Sequence, residues 1–469
     1  MKLKYIKIKN FRGIREEIFL PLHSRLTILV GDNANGKTTV LDALATGLGI
    51  IPSYFSVKGK RASDDDIYQC IPTWDNDFFY SESLMGGLEK APYMRITLET
   101  LDDILWDVSK YNSRKKSQDI PEAIKHTQLY DFLGKIVSGE HSELPVIAYY
   151  GTNRAILSSE TKYLKSENKH GRFYALNNSL KRSSRFNEIK DWFAEEEDIE
   201  RRIRLEPDNK NERDDKYRSP ILQTVREAQE KLLPGFTNLR TIPKPTRLVV
   251  DFNYKQEPTE NLLLEQLSDG YRTTWALVAD LARRMAVANP HLKTKILETE
   301  AIVLIDEVDL HLHPNWQQRI VAVDEKDDEI SDERSVASLL KVFPNTQFIV
   351  TTHSDELVTS VKPENVVRLF RSEGTIRAEL VSSYTYGAKS GKVLERVMEG
   401  SERPRDNTFT KLLNRYYELI EEDDWNSEDA KKIQKRLYEL SPDEPELISI
   451  KMEIRRRQVI SGKRSHEES

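Results

Sequence analysis

The stretch Leu26-Thr-Ile-Leu-Val-Gly-Asp-Asn-Ala-Asn-Gly-Lys-Thr-Thr39 decides the fold. Leu26 to Val30 predict a buried strand, Gly31 ends it, and Gly-x4-Gly-Lys-Thr opens an apolar helix from Thr38 to Leu48. This is the pattern of a phosphate-binding loop. Its amides, carried by Asp32, Asn33, Ala34, Asn35, Gly36, Lys37 and Thr38 with Thr39 behind them, can converge on phosphate oxygens at a helix amino end. Gly31 and Gly36 present no Cβ to block that approach. Lys37 is placed to bridge the terminal phosphates, and the Thr38 hydroxyl suits Mg2+.

Working outward, two further apolar strands end in polar residues. Ala301-Ile-Val-Leu-Ile-Asp-Glu307 predicts a buried strand that delivers two acids to its carboxyl end, where open α/β sheets bind ligands. Asp306 is then placed to hold Mg2+ through water, and Glu307 to orient or deprotonate an attacking water. Gln347-Phe-Ile-Val-Thr-Thr-His-Ser354 ends at His353, suited to a terminal phosphate. Leu264-Glu-Gln-Leu-Ser-Asp-Gly-Tyr-Arg272 precedes a helix with apolar Trp275, Val278, Ala279, Ala282 and Met285. His311 and His313 make a poor metal pair, because Mg2+ prefers oxygen donors and no third nitrogen or sulfur donor stands nearby.

The rest of the chain supplies a frame. Leu3 to Ile8 and Ile18 to Leu22 predict two hairpin-like strands, Tyr93 to Glu99 alternates like a half-exposed strand, and Leu144 to Tyr150 predicts a buried one. Arg154, at the end of that strand, is a candidate nucleotide-side residue or an ordinary surface arginine. From Ser158 to Leu233 the chain becomes long, charged and helical. Its mixed-sign run from Ala194 to Tyr217 reads as a solvated helix face, with a docking surface as the alternative. An acidic stretch after Ile320 reads as a surface loop. Beyond Val393 three stripes follow: Phe409, Leu412, Leu413, Tyr416, Tyr417 and Ile420; Ile433, Leu437 and Leu440; Leu447, Ile450 and Ile454. The basic terminus, Arg455-Arg-Arg457 through Lys463-Arg464, reads as a frayed tail, with a nucleic-acid contact as the alternative.

Composition narrows the function classes. The 469 residues carry 71 Lys plus Arg against 77 Asp plus Glu, so the net charge of -6 argues against a uniformly nucleic-acid-coated protein. One cysteine excludes an internal disulfide and suits a reducing cytoplasm. No apolar run approaches the roughly 18 residues of a membrane span, so no membrane partner is expected.

Together, Gly31 to Thr38, Leu267-Ser-Asp-Gly-Tyr271, Ile302 to Glu307, Val308-Asp309 and His353 resemble the nucleotide-binding motifs of ABC-type ATPases. The opening Lys7-Ile-Lys-Asn-Phe-Arg-Gly13, with Lys37 and Asp306 standing 269 positions apart, resembles the RecF, structural-maintenance-of-chromosomes and overcoming-lysogenization-defect group. The likeness covers roughly residues 1–155 and 236–385. A narrower one, through Leu310 to Trp316, Phe343 to Ser354, Thr385-Tyr-Gly387 and Glu402-Arg-Pro404, is to bacterial defence ATPases, among them the ATPase subunit of the Septu anti-phage system. Three departures stand out: no glutamine follows the strand ending at Tyr150, the acidic insert is unexpected, and no carboxylate-rich nuclease domain follows.

The resemblance implies an α/β fold, an ABC-type P-loop ATPase head with a helical insertion and a C-terminal helical appendage. Residues 1–155 would form the N-terminal lobe, 156–235 the charged insertion, 236–392 the C-terminal lobe with signature, Walker B and H-loop, and 393–469 the appendage and basic tail. It implies ATP and Mg2+ as cofactors, with Glu307, His353 and Lys37 catalytic and Thr38 and Asp306 on the metal. Ser268, Asp269 and Gly270 would act in trans from a second subunit of a head-to-tail dimer or higher homo-oligomer, and Asp309 would be the D-loop residue. A separate HNH nuclease is the implied partner. A DNA-clamping repair ATPase is the alternative, and a transporter subunit suits the charged insertion poorly. Lys37→Ala should abolish ATP binding, since it removes the side-chain cation aimed at the phosphates; undiminished affinity by calorimetry would refute the loop assignment.

Overall fold

In the computed structural model the described residues are 1–56, 79–82, 88–112, 122, 124–139, 142–152, 171–182, 186–205, 217–243, 245–253, 259–322, 337–398, 400, 403–404 and 406–467. Arg154 and most of the acidic stretch after Ile320 lie outside them. The chain divides into two units, Met1–Glu399 and Gly400–Ser469.

An antiparallel sheet opens the first unit. β1 (Leu3–Lys9) and β2 (Ile18–Pro21) pair as expected. A short hairpin, β4 (Tyr80–Glu82) with β5 (Leu88–Lys90), precedes β6 (Tyr93–Thr100) and β7 (Leu105–Tyr111), and the sheet order is β2-β1-β6-β7. Here β6 corrects the half-exposed expectation, because it is largely buried on both faces. Met94, Ile96 and Leu98 join the core, while Arg95 on the opposite face is tied to Asp107 (2.6 Å) and, through Glu122, to the following loop.

The second sheet carries the chemistry-bearing ends. β3 (Leu26–Val30), β8 (Val146–Tyr150), β12 (Ala301–Ile305) and β13 (Thr346–Thr351) are buried throughout, as parallel strands covered on both faces must be. With β14 (Val366–Ser372) and β15 (Thr375–Leu380) the order is β15-β14-β3-β13-β12-β8, and only β15 runs antiparallel to its neighbour. The phosphate-loop strand and the acidic strand are therefore not adjacent; β13 lies between them. Gln347, at the base of β13, pins the first sheet to the second: its amide accepts from Leu3 N at 2.7 Å and donates to Leu3 O at 2.8 Å.

Helices cover this sheet. α1 (Lys37–Leu48) leaves the phosphate loop and runs on to α2 (Ile50–Ser56), and α3 (Thr127–Ser138) precedes β8. The charged region contributes α4 (Phe186–Leu205) and α5 (Pro220–Leu232), followed by a third sheet of β9 (Phe236–Ile242), β10 (Arg247–Phe252) and β11 (Glu260–Leu263) in the order β11-β10-β9. The reading of α4 as a solvated face fails at Glu197 and Glu200, which are buried. Glu200 accepts from Ser219 N at 2.8 Å and pairs with Arg226 at 3.2 Å, and Glu197 accepts from Thr241 N at 2.9 Å. A buried carboxylate is tolerated when its lone pairs are met by charged and backbone donors.

α6 (Asp269–Ala288) is buried along most of its length, including three charged side chains the apolar pattern did not reveal. Asp280 accepts from Arg283 (2.7 Å), from Arg284 (2.6 Å) and from the Tyr150 hydroxyl (3.0 Å) at the end of β8. Arg284 continues to the carbonyls of Ala175 and Asn177. Burial alone would raise the Asp280 pKa, but the two guanidiniums overcome it and hold the carboxyl well below the usual range. Shorter helices α7 (Pro314–Gln317), α8 (Leu339–Val342), α9 (Asp355–Val358) and α10 (Ser390–Arg396) complete this unit, and Val393, Val397 and Met398 belong to its core.

The second unit contains α11 (Thr408–Glu421), α12 (Glu428–Leu440) and α13 (Pro445–Glu467). Leu413, Tyr416, Leu419, Ile420, Leu437, Leu447 and Ile450 form its core, with Trp425 and Tyr438 packed against it. Two expected stripe positions are corrected. Tyr417 and Leu440 are exposed, at 38% and 42%: Tyr417 stands one position off the inward-facing Tyr416, with Leu419 taking part instead, and Leu440 is the last residue of its helix.

Asp280→Ala should destabilise the first unit by about 3–5 kcal/mol, since it strands two buried arginines and a tyrosine. The sign with pH is fixed by the depressed carboxyl: its contribution is present above the ordinary carboxylate pKa of about 4 and is lost as pH falls through the folded value. Denaturant unfolding of both proteins at neutral and acid pH measures this, and the gap between them should narrow in acid.

Candidate functional site

The site is assembled at the carboxyl ends of β3, β13 and β12. Gly31 and Gly36 both have positive φ, 140° and 88°, and a Cβ at Gly36 would stand 2.5 Å from the Ile376 side chain. Ala34 takes the left-handed region at 66°, where L-residues are rare. The loop so formed is closed on itself. Asn35 N donates to Asp32 O at 3.2 Å, and Lys37 Nζ donates to the carbonyls of Gly31 (2.6 Å) and Asp32 (3.0 Å). Burial pushes the Lys37 ammonium below its ordinary pKa, and the negative field of Asp306, Asp32, Glu307 and Asp309 opposes that shift. Lys37 is thus a buried cation held ready by carbonyls that a stronger anionic acceptor can replace.

The acids converge on it from two strands away. Thr38 Oγ1 lies 3.0 and 3.2 Å from the Asp306 carboxylate oxygens. Thr351, buried at the end of β13, donates to Asp306 at 2.7 Å while its oxygen accepts from Glu307 N at 2.7 Å. One hydroxyl therefore orients one acid and fixes the backbone of the next. That backbone needs fixing, because Glu307 sits at φ 48° and a non-glycine residue in this region costs about 1–3 kcal/mol. Asp306 N is held by Tyr150 O at 2.8 Å.

These side chains line one open cleft of about 220 Å3. Asn33, Ala34, Gly36, Lys37, Thr38 and Thr39 form one wall; Asp306, Glu307 and the exposed His353 stand opposite; Gly13, Arg371 and Ile376 complete it. Sequence reading missed three participants. Thr351 sat inside a recognised strand without an assigned role, and Arg371 and Ile376 carried no motif. The volume falls below the about 300–1,000 Å3 of pockets that enclose a small molecule. Thr38 and Asp306 offer oxygen donors, the chemistry Mg2+ requires, and their small number suits an ion that shares its remaining positions with water and phosphate.

Ser268, Asp269 and Gly270 do not line this cleft. Ser268 and Asp269 are exposed at the amino end of α6, and Asp269 pairs with Arg272. Gly270 is buried because a Cβ there would meet the His311 carbonyl at 2.5 Å, so the amino end of α6 is packed on the turn after β12. Asp309 lies in that turn, its carbonyl accepting from Leu312 N at 3.0 Å. His313 accepts from Asn315 N and caps α7.

Behind the cleft, Asp42 of α1 gathers Arg12, Arg182 and the Tyr149 hydroxyl, which donates at 2.9 Å. Burial and the nearby Asp42 carboxylate push the Tyr149 phenol far above its ordinary pKa, so it stays a donor.

Residues 5–234 match a family model described as an AAA domain. The chain is similar to the Retron Ec83 probable ATPase of Escherichia coli, 29% identical over 97% of this chain and 87% of that protein. It is similar to the Septu protein PtuA of Bacillus mycoides at 41% identity, but over only 19% of this chain and 10% of that one. The DNA replication and repair protein RecF of Lactococcus lactis subsp. lactis is 24% identical over 81% of this chain and all of its own length. The Septu likeness read from the motifs is therefore local, whereas those to the retron ATPase and RecF run along the molecule. With a phosphate loop, an acid pair and a histidine on successive strand ends of one parallel sheet, the chain is similar over most of its length to the retron ATPase and to RecF, and its site resembles that of the ABC-type ATPases.

Proposed function

We propose that this protein is the ATP-binding and hydrolysing switch subunit of a bacterial anti-phage defence complex, pairing head to tail across nucleotide and controlling a separate HNH-type nuclease. The observation that carries the reading is the split of its motifs. Lys37, Thr38, Asp306, Glu307 and His353 share a small open cleft, whereas Ser268 and Asp269 face solvent outside it. A second copy would bring its own Ser268 and Gly270 over that cleft. The likeness to a retron ATPase and to PtuA supports the defence setting, and the likeness to RecF supports a second reading, direct clamping of DNA.

In this mechanism the amides of residues 32–38 and Lys37 hold the β and γ phosphates, and Lys37 exchanges its loop carbonyls for them. Mg2+, when bound, supplies charge neutralisation on the phosphate oxygens. Thr38 and Asp306 would hold it, and Thr351 keeps Asp306 turned toward Thr38. Glu307 orients the attacking water and takes its proton, and His353 contacts the terminal phosphate. Because the second half of each site comes from another chain, closure reports on ATP, and opening follows hydrolysis. The chain thereby has two states for a partner to read.

Three measurements test this. Ser268→Arg and Lys37→Ala should each be inactive alone, yet a mixture should regain ATPase activity, since a mixed dimer contains one site with both residues intact. No recovery on mixing would refute the trans arrangement. Glu307→Gln should bind ATP normally and hydrolyse it about 100-fold or more slowly, as expected for loss of a general base. Thr351→Val should raise the Mg2+ concentration needed for half-maximal activity, and Thr351→Ser should restore it; a Val variant with unchanged metal dependence would reduce Thr351 to packing. Co-purification with a small nuclease favours the defence reading, and tight, salt-dependent DNA binding by the isolated chain favours clamping.

A further inference from the structure

The hairpin formed by β14 and β15 lies directly against the phosphate loop, and three glycines make that approach feasible. A Cβ on Gly31 would run into the Leu369 carbonyl, and Cβ atoms on Gly36 and Gly13 would stand 2.5 and 3.0 Å from Ile376 Cδ1. Ile376 is 1% exposed and seals the hairpin to the loop. Arg371, from the same hairpin, is exposed and lines the cleft. Its Nε donates to Ala34 O at 3.2 Å, and its Nη2 lies 3.5 Å from the position a Gly13 Cβ would occupy. The guanidinium therefore spans from the tip of the phosphate loop to the turn between β1 and β2.

We propose that Arg371 is the nucleoside-side contact of this cleft, its guanidinium plane stacking on the base of the bound nucleotide. The inference rests on the nucleotide reading given above. Thr38, Asp306, Glu307 and His353 fix one end of the cleft as the metal and terminal-phosphate end. The corner of Gly13, Ala34 and Arg371 is then left for the remainder of an elongated ligand. A delocalised, weakly hydrated guanidinium tied through Nε is pre-oriented to lie on an aromatic face, which a lysine ammonium cannot reproduce.

Titration with ATP and, separately, with inorganic tripolyphosphate tests the assignment, using the full-length protein and Mg2+. Arg371→Ala should weaken ATP binding about 3–30-fold, the range of a partly desolvated cation–π contact, and leave tripolyphosphate affinity within about twofold of wild type. Arg371→Lys keeps the charge without the plane and should lose ATP affinity nearly as far. A parallel loss for both ligands would make Arg371 a phosphate contact and overturn the proposal, as would full ATP affinity in either variant. Wild-type protein that bound neither ligand would instead refute the phosphate-loop reading itself, and this proposal with it.

Discussion

The Asp306 carboxylate is the meeting point on which the site depends. It receives Thr38 from the helix after β3 and Thr351 from the end of β13, while its own backbone amide is held by Tyr150 of β8. Three strand ends are thus brought to one acid. Because β13 lies between the phosphate-loop strand and the acidic strand, Thr351 is the only one of these groups placed to span the gap from the middle. An oxygen cluster of this kind is held together by the hydroxyl donors, and it becomes a cation site with little rearrangement when Thr38 turns its lone pair rather than its proton toward a metal.

The parts of the site that were legible in the sequence are those whose partners lie within a few residues. Gly31 to Thr38 form a loop that closes on itself, and Asp306 with Glu307 follow an uninterrupted apolar run, so residue order alone carries the geometry. Thr351 and Arg371 became visible only with the strand order β15-β14-β3-β13-β12, since each acts on a segment of a different strand. The same distinction explains the misreadings. Glu197 and Glu200 look solvated in a charged helix, and only the fold brings Arg226 and the amides of Ser219 and Thr241 to them. Tyr417 and Leu440 look apolar enough to be buried, yet Tyr416 takes the inward face beside the first and the second falls at the very end of its helix.

A buried relay joins the acidic strand to the helix that carries the candidate trans residues. Tyr150 offers its carbonyl to Asp306 N and its hydroxyl to Asp280, and Asp280 is held by two arginines of the same helix. Burial, first, and the Asp280 carboxylate hold the phenol well above its ordinary pKa, which favours its role as donor to Asp280. One tyrosine thus joins α6 to the residue that ends the acidic strand.

A second contact ties the amino end of the same helix to the same strand. Gly270 admits the His311 carbonyl to a distance that no side chain would permit, and His311 itself is held at a left-handed φ of 63°. In the turn between Glu307 and His311, Asp309 Oδ1 is buried and has no hydrogen-bond partner among the described residues. Gly270 packs its neighbours Ser268 and Asp269, both exposed, onto the block that contains Asp309. Glu307, at a φ of 48°, opens this turn and Gly270 packs against its far end, so the backbone of the second acid and the amino end of α6 belong to one packed block.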